Sequence, residues 1–301
     1  MVVQLPRDRG VLSGSYIWRS GNQQKYIRRG LVGSVSQTEY STASGVAADT
    51  IDVPADNSTF FIGGLIARDT VTAFVKAQGL DTLNFVQDIR LGSSAELQLG
   101  VNHIDETTNV ERTEPTVSLV LDRSLLANNN TFLRFTLSST ASFEESGENP
   151  WSATARMKTY YTGIPNNTVA ARLEYTTGED GSDLPVQLTL GENNGLRGYD
   201  TRQFEGRQRA RINIESRYRP GWKVSVVDIG LVGFFDTGWA AARDDSSPAV
   251  RHSVGAGLRF GSNALLGGTV LRLDVAYPLN PLEGEGDDVS VSFTAGQVFR
   301  F

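Results

Sequence analysis

The sequence contains no cysteine and only two histidines, two methionines and four tryptophans in 301 residues. Without cysteine there is no disulfide, no thiolate nucleophile and no cysteine-based zinc site. The compartment stays open, since a cysteine-free chain neither requires nor excludes oxidising surroundings. Excess positive charge is missing too: 28 Lys and Arg stand against 34 Asp and Glu, for a net charge of −6 and a pI near 5.1. That balance argues against nucleic acid as a partner. Hydrophobic residues make up 39% and mean hydropathy is −0.24, low for a large globular core. No run approaches the roughly 18–20 apolar residues of a membrane helix. Of the two ways to span a bilayer, helix and closed barrel, only the second stays open. The opening MVVQLPRDRG has no apolar stretch and does not read as a signal peptide.

What the chain has instead is period-two alternation, the mark of a strand with two different faces. The clearest case lies in 184–217, LPVQLTLGENNGLRGYDTRQFEGRQRARINIESR. Its first half is a Gly- and Asn-rich loop. In the second half the odd positions read Arg207, Arg209, Arg211, Asn213, Glu215, Arg217, against Gln208, Ala210, Ile212, Ile214, Ser216 and Tyr218. From Gly92 onward the same writing recurs. Ala95, Leu97, Leu99 and Val101 share a face, as do Leu133, Phe135 and Leu137, then Val169, Ala171, Leu173 and Tyr175, then Ile229, Leu231, Phe235 and Trp239. Toward the end Leu271, Leu273, Val275 and Tyr277 oppose Arg272 and Asp274, and Val291, Phe293, Phe299 and Phe301 oppose Ser290, Ser292, Thr294 and Arg300. Residues 59–76 are β-prone but alternate poorly, 41–58 read as a long loop and 77–91 as an irregular connection.

Roughly 13 strands of 9–14 residues result, close to the length a tilted strand needs to cross a bilayer. Short connections (GIPNN at 163–167, PGW at 220–222) alternate with longer polar loops (106–114, 144–150, 240–250, 280–287). Trp151, Tyr160, Tyr161, Tyr218, Trp222, Trp239, Tyr277, Phe299 and Phe301 fall near strand ends, as interfacial girdles do. A soluble all-β protein would not hold Arg156, Arg172, Arg207, Arg209, Arg211, Arg217, Arg259, Arg272 and Arg300, all expected at strand interiors, without water or counter-charges beside them. The expected fold is therefore all-β: a closed antiparallel transmembrane β-barrel of about 12–16 strands with a wet lumen. Residues 1–91 supply its N-terminal strands, and 92–301 its core with an inserted loop at 177–203. Residues 240–250 and 280–287 are expected outside the cell, and 219–222 and 261–268 on the periplasmic side.

GENNGLRGYDTRQFEG, a strand ending NIESR, FFDTG, LRLDVAYPL and a terminal VFRF stand in this order. The set resembles the BamA/TamA family of outer-membrane barrels, the bacterial surface antigen family, over about residues 92–301. The resemblance implies a long extracellular loop folded into the lumen. Its tip is Arg197, Gly198 and Tyr199, and its wall partners are Glu215 and Asp236, two carboxylates that lose their counter-charge if the arginine is removed. It also implies a C-terminal barrel-assembly signal at Gly296, Phe299 and Phe301, with the two aromatics facing outward on an edge strand that pairs with the first strand and is read by the barrel-assembly machinery. The family carries POTRA domains ahead of a sixteen-stranded barrel. This sequence shows neither, and reads as a fragment or a shortened member.

The function implied is non-enzymatic: an integral protein of the bacterial outer membrane, embedded among its lipids. It is related to insertion or translocation factors, with unfolded outer-membrane or secreted proteins as clients and no cofactor. A passive or gated pore with a basic lumen is the alternative. A lipase reading rests on His103 alone, at the end of an outward row. The Asn-x-Ser/Thr sequences beginning at Asn57, Asn129 and Asn166 read as turn chemistry. The acidic stretches 144–149 and 281–288 read as solvated loops rather than cation sites.

Overall fold

The structure, a computed structural model, describes residues 7–40, 56–108, 111–145, 147, 149–179, 188–242, 247–262, 269–282 and 289–301. The alternating segments become β1 (Arg7–Gly21), β2 (Lys25–Tyr40), β3 (Asn57–Gln78), β4 (Val86–Glu106), β5 (Glu111–Asn128), β6 (Thr131–Ser142), β7 (Trp151–Ile164), β8 (Asn167–Glu179), β9 (Leu188–Leu190), β10 (Phe204–Gly206), β11 (Gln208–Val224), β12 (Val227–Ala241), β13 (Arg251–Gly261), β14 (Val270–Pro278) and β15 (Ser290–Ala295). Thirteen of them form one sheet in chain order, β1 to β8 and then β11 to β15, while β9 and β10 pair with each other in the connection between β8 and β11. Every neighbouring pair is antiparallel. Among the described residues nothing pairs β1 with β15, so the sheet is open. Because thirteen is odd, those two edges run in the same direction.

The sheet curls. Arg217 of β11 donates to the carbonyl of Leu80, in the turn between β3 and β4, and Arg219 reaches the carbonyl of Gln78 at 3.4 Å. Six strand spacings separate β3 from β11, about 29 Å in a flat sheet. The contact requires the polar face to be concave. That face holds Glu174, Asn213, Glu215, Asp236, Arg259 and Asp274, each at most 1% exposed. The convex face carries the apolar rows uncovered: Leu173 is 48% exposed, Ile214 42%, Val275 43% and Phe293 64%. Hydrophobic outside and polar inside inverts the order of a water-soluble core.

Where alternation fails in the sequence, the strands are bulged. The register shifts between Val71 and Ala73, which explains the poor pattern of 59–76. Gly92 lies opposite this bulge at φ 148°, and a Cβ there would sit 1.9 Å from the Thr70 carbonyl. β4 consequently begins at Val86, inside the stretch expected to be irregular, and crosses residues 91–92 without a break. The turn it leaves, 79–85, tucks Leu80 and Leu83 against the concave face, at 0% and 6% exposure. The segment 219–222 is likewise no turn. It lies within β11, where a second register shift between Tyr218 and Trp222 accommodates Pro220, and the hairpin turns at Ser225, φ 56°. Asn166 turns the β7–β8 hairpin at φ 56°, whereas Asn57 opens β3 instead of a turn. Of the stretches assigned to one side of a membrane or read as acidic loops, residues 146, 148, 243–246, 263–268 and 283–288 lie outside the described residues.

Candidate functional site

Alternation along β11 brings Arg209, Arg211, Asn213, Glu215 and Arg217 onto the concave face, and the β11–β12 register sets Asn213 against Asp236. On β14, Asp274 shares this face and lies opposite Gly257. Onto these three strands folds the loop from β9 to β10. Its body is a small apolar cluster of Leu190, Leu196 and Tyr199, with Phe204 and Ala240 against it. Two glycines with positive φ, Gly195 at 95° and Gly198 at 89°, turn the chain on either side of the tip.

At that tip Arg197 is 1% exposed. Its Nε and Nη2 donate to the two oxygens of Asp236 at 2.7 and 2.9 Å, a bidentate fork. Its Nη1 donates to Glu215 Oε1 at 2.9 Å and to Asp274 Oδ2 at 3.2 Å. The guanidinium carbon lies 3.4 Å from the centre of the Phe234 ring, a cation–π contact. Burial works against this charge, but Asp236, then Glu215 and Asp274, outweigh it and raise the arginine's pKa above its usual value.

The structure thus brings Arg197, Glu215 and Asp236 together, and adds Asp274, which stands in the LRLDVAYPL stretch but to which the resemblance gave no role. Its place on the polar face opposite Leu273 and Val275 was the signal available. The expectation that two carboxylates depend on Arg197 alone needs correction. Glu215 also pairs with Arg217 at 2.8 Å, and Asp274 with Arg259 at 2.5 Å. Asp236 has no other cation among the described ion pairs, only the amide of Asn213 at 2.6 Å. Three arginines and three carboxylates balance, with Arg272 at 3.6 Å from Asp274 on the margin.

A second set of contacts holds the loop by its backbone. Arg209 Nη1 donates to the Thr189 carbonyl at 2.8 Å, Arg211 to the Asn194 carbonyl, and Asn213 to that of Gly195 at 2.6 Å. Glu174 gathers Arg156 and Arg211 at 2.5 Å each and Arg209 at 3.3 Å. Beyond the tip, Tyr199 donates its hydroxyl to the His252 carbonyl at 2.9 Å, with Asn280 Oδ1 2.8 Å away. Strand β8 runs to Glu179, so the loop starts later than expected at 177.

The C-terminal residues depart from expectation. Phe299 and Phe301 were to face outward on an edge strand. Instead β15 stops at Ala295, and Gly296 at φ 91° turns the chain inward. Phe299, 4% exposed, joins a concave-face cluster with Leu80, Ile89, Leu91, Phe132 and Tyr160, and Phe301 packs against it. Tyr160 therefore belongs to this cluster and to no interfacial girdle. Arg217 holds the Phe299 carbonyl at 3.2 Å, Arg134 that of Phe301 at 3.0 Å, and the Phe301 amide donates to Asp81 at 2.7 Å. The alternation reading assumed an unbroken strand, and a left-handed glycine ends it.

His103 Nδ1 lies 3.2 Å from Thr113 Oγ1, its one side-chain hydrogen bond among the described residues. A nucleophile–base–carboxylate arrangement is not assembled there. Among the described residues no three His, Cys, Asp or Glu side chains are placed to hold a metal ion.

Comparison with known proteins agrees with the motif resemblance. Residues 85–299 match the Omp85 superfamily domain. Among solved structures the chain is similar to CdiB from Escherichia coli, with a TM-score of 0.53 and 13% identity, covering 95% of this chain and 53% of that one. It is similar also to CdiB from Acinetobacter baumannii, with a TM-score of 0.53 and 14% identity, covering 95% and 50%. The chain thus spans about half the length of the structures it matches. No curated protein matches it.

Proposed function

Since the chain belongs to the Omp85 superfamily, matched over residues 85–299, we propose that it is a non-enzymatic outer-membrane barrel acting in protein insertion or translocation, with its inner loop locked on the barrel wall by Arg197. The observation that carries this reading is the buried fork from Arg197 to Asp236, with Glu215 and Asp274 completing it. In the closed barrel the concave face becomes the lumen and the convex rows face lipid. Residues 92–301 form the core of the barrel, and residues before them supply its first strands. The edges β1 and β15 meet either as a parallel pair or across an odd number of further strands, because they run in the same direction. Clients are unfolded polypeptides bound for, or passing through, the outer membrane, and Gly296, Phe299 and Phe301 are the segment that the barrel-assembly machinery reads.

The rival reading is an open anion pore. Against it stand the loop, whose carbonyls take up Arg209 and Arg211, and the cluster of Leu80, Phe299 and Phe301, which fills the short-turn end of the concave face. Planar-bilayer recording separates the two. The refolded protein should conduct poorly and erratically, and Arg197→Ala should raise both conductance and open time. Steady, anion-selective conductance in the unaltered protein would overturn the assignment in favour of the pore.

The orientation is tested separately. The absence of native cysteine lets single cysteines report their side. Ala249→Cys, at the long-loop end, should react with an impermeant maleimide on intact cells. Asn129→Cys, in the β5–β6 turn, should react only after the outer membrane is opened. The reverse pattern would invert the topology.

A further inference from the structure

On the convex face of β6 to β8 and β11 to β15 the described strands carry no Asp, Glu, Lys or Arg apart from Glu179, the last residue of β8. β2, β3 and β5 differ. Arg29, Arg68 and Arg123 are exposed and alternate in step with Leu31, Ile66 and Leu121 on that face. Among the described residues none of the three has an ion-pair or side-chain hydrogen-bond partner. An arginine turned toward hydrocarbon is costly unless its charge reaches water or an anion.

The three are also placed together. Arg29 lies opposite Ile66, two residues from Arg68. Arg68 lies opposite Ala95, which pairs with Leu121, two residues from Arg123. Arg68 and Arg123 are therefore two strands and two residues apart, about 12 Å between Cα atoms, a span that two extended arginine side chains bridge onto one group. Each step from one arginine to the next drops two residues toward the short turns, over one strand and then over two, so the three follow a slanted line across the sheet.

Beside Arg123 the convex face is hollowed. A groove of about 610 Å³ is lined by Leu121, Arg123, Phe135, Leu137, Met157 and Tyr175. Its floor has a physical cause. In the row Leu121–Leu137–Ala155–Tyr175 the third member is only a methyl group, so large neighbours stand on both sides of a gap. Arg123 at the edge of this groove, with Arg68 and then Arg29 in line beyond it, has the chemistry of one ligand class.

We propose that this wall binds an anionic phospholipid. Its phosphate is held by Arg123 and Arg68, with Arg29 at the margin, and one acyl chain lies in the groove over Ala155. A free phosphate would leave the groove unused, and in a zwitterionic lipid the ammonium beside the phosphate opposes the arginines. The site rests on the reading of the convex face as lipid-facing.

The test uses the full chain refolded in detergent and presented with phosphatidylglycerol, phosphatidylcholine or inorganic phosphate, with retained lipid counted by native mass spectrometry. Insertion into phosphatidylcholine vesicles, scored by flotation, is measured beside it. The unaltered protein should retain phosphatidylglycerol about tenfold over phosphatidylcholine, because both offer a phosphate but only the second sets a cationic ammonium against the guanidinium groups. The pair R68Q and R123Q together should abolish that preference while leaving flotation unchanged. Ala155→Leu, filling the groove, should cut retention with the arginines intact. No preference in the unaltered protein, a preference that survives in the double variant, or displacement by millimolar inorganic phosphate would each overturn the site. Failure to float would instead overturn the barrel reading beneath it.

Discussion

Arg197→Ala and Asp236→Ala should each destabilise the docked loop strongly and, combined, cost little more than either alone. Both charges are buried, at 1% and 0% exposure. Removing one member of such a pair leaves an uncompensated charge, which costs about 3–5 kcal/mol. Removing both takes away that penalty, so the cycle should return a coupling energy close to the cost of one single substitution, about 3 kcal/mol or more. The partner contacts sharpen the expectation. Glu215→Ala should couple less to Arg197→Ala than Asp236→Ala does, because Glu215 also serves Arg217 and its loss disturbs a second arginine. Arg197→Lys should restore part of the stability, since an ammonium keeps the charge but cannot form the two-pronged contact with Asp236. Protease resistance of residues 188–206 and the thermal midpoint of the refolded protein are the readouts, with far-UV circular dichroism confirming that the sheet persists. Simple additivity of the Arg197 and Asp236 substitutions would mean that no lock exists.

Leu273→Arg and Arg272→Leu, one residue apart on β14, should differ sharply in what they do to folding in a bilayer. Leu273 lies on the convex face between Leu258 and Phe293. An arginine there, near mid-membrane, should cost about 2–4 kcal/mol. Arg272 faces the other way, donates to Thr294 and stands 3.6 Å from Asp274. Its loss removes a marginal ion pair while Asp274 keeps Arg259 and Arg197, so about 1 kcal/mol is expected, the net worth of a hydrogen bond. Denaturant titration of the protein folded into vesicles measures both. Equal tolerance at the two positions would invalidate the assignment of faces and the barrel with it.

Much of this architecture is legible in the sequence because alternation is a local property. From Arg207 to Tyr218 each residue states its face, and Glu215 and Asp236 are assigned to the polar side without knowledge of the loop. What remained hidden depends on chain segments that meet only after the sheet curls. Leu80 and Leu83 sit in a stretch with no period, and nothing local shows that their turn packs beneath β11. Asp274 could be assigned a face, but its convergence on Arg197 depends on how β14 lies beside β13 and β12. The tail was misread for a different reason. Period two extends through Phe299 and Phe301 on paper, and only the backbone at Gly296 shows that the strand has already ended.

That inward tail changes how the last strand lets go. β15 has six register pairs with β14, against fifteen between β1 and β2, so on ladder length alone it would fray residue by residue. Phe299 and Phe301 forbid this, because their rings and carbonyls are fastened to β3–β4, β6, β7 and β11 rather than to the neighbouring strand. Releasing the edge therefore means extracting two aromatic rings in the same event. A short ladder that ought to breathe continuously becomes a single cooperative opening unit, with a threshold set far from the edge itself.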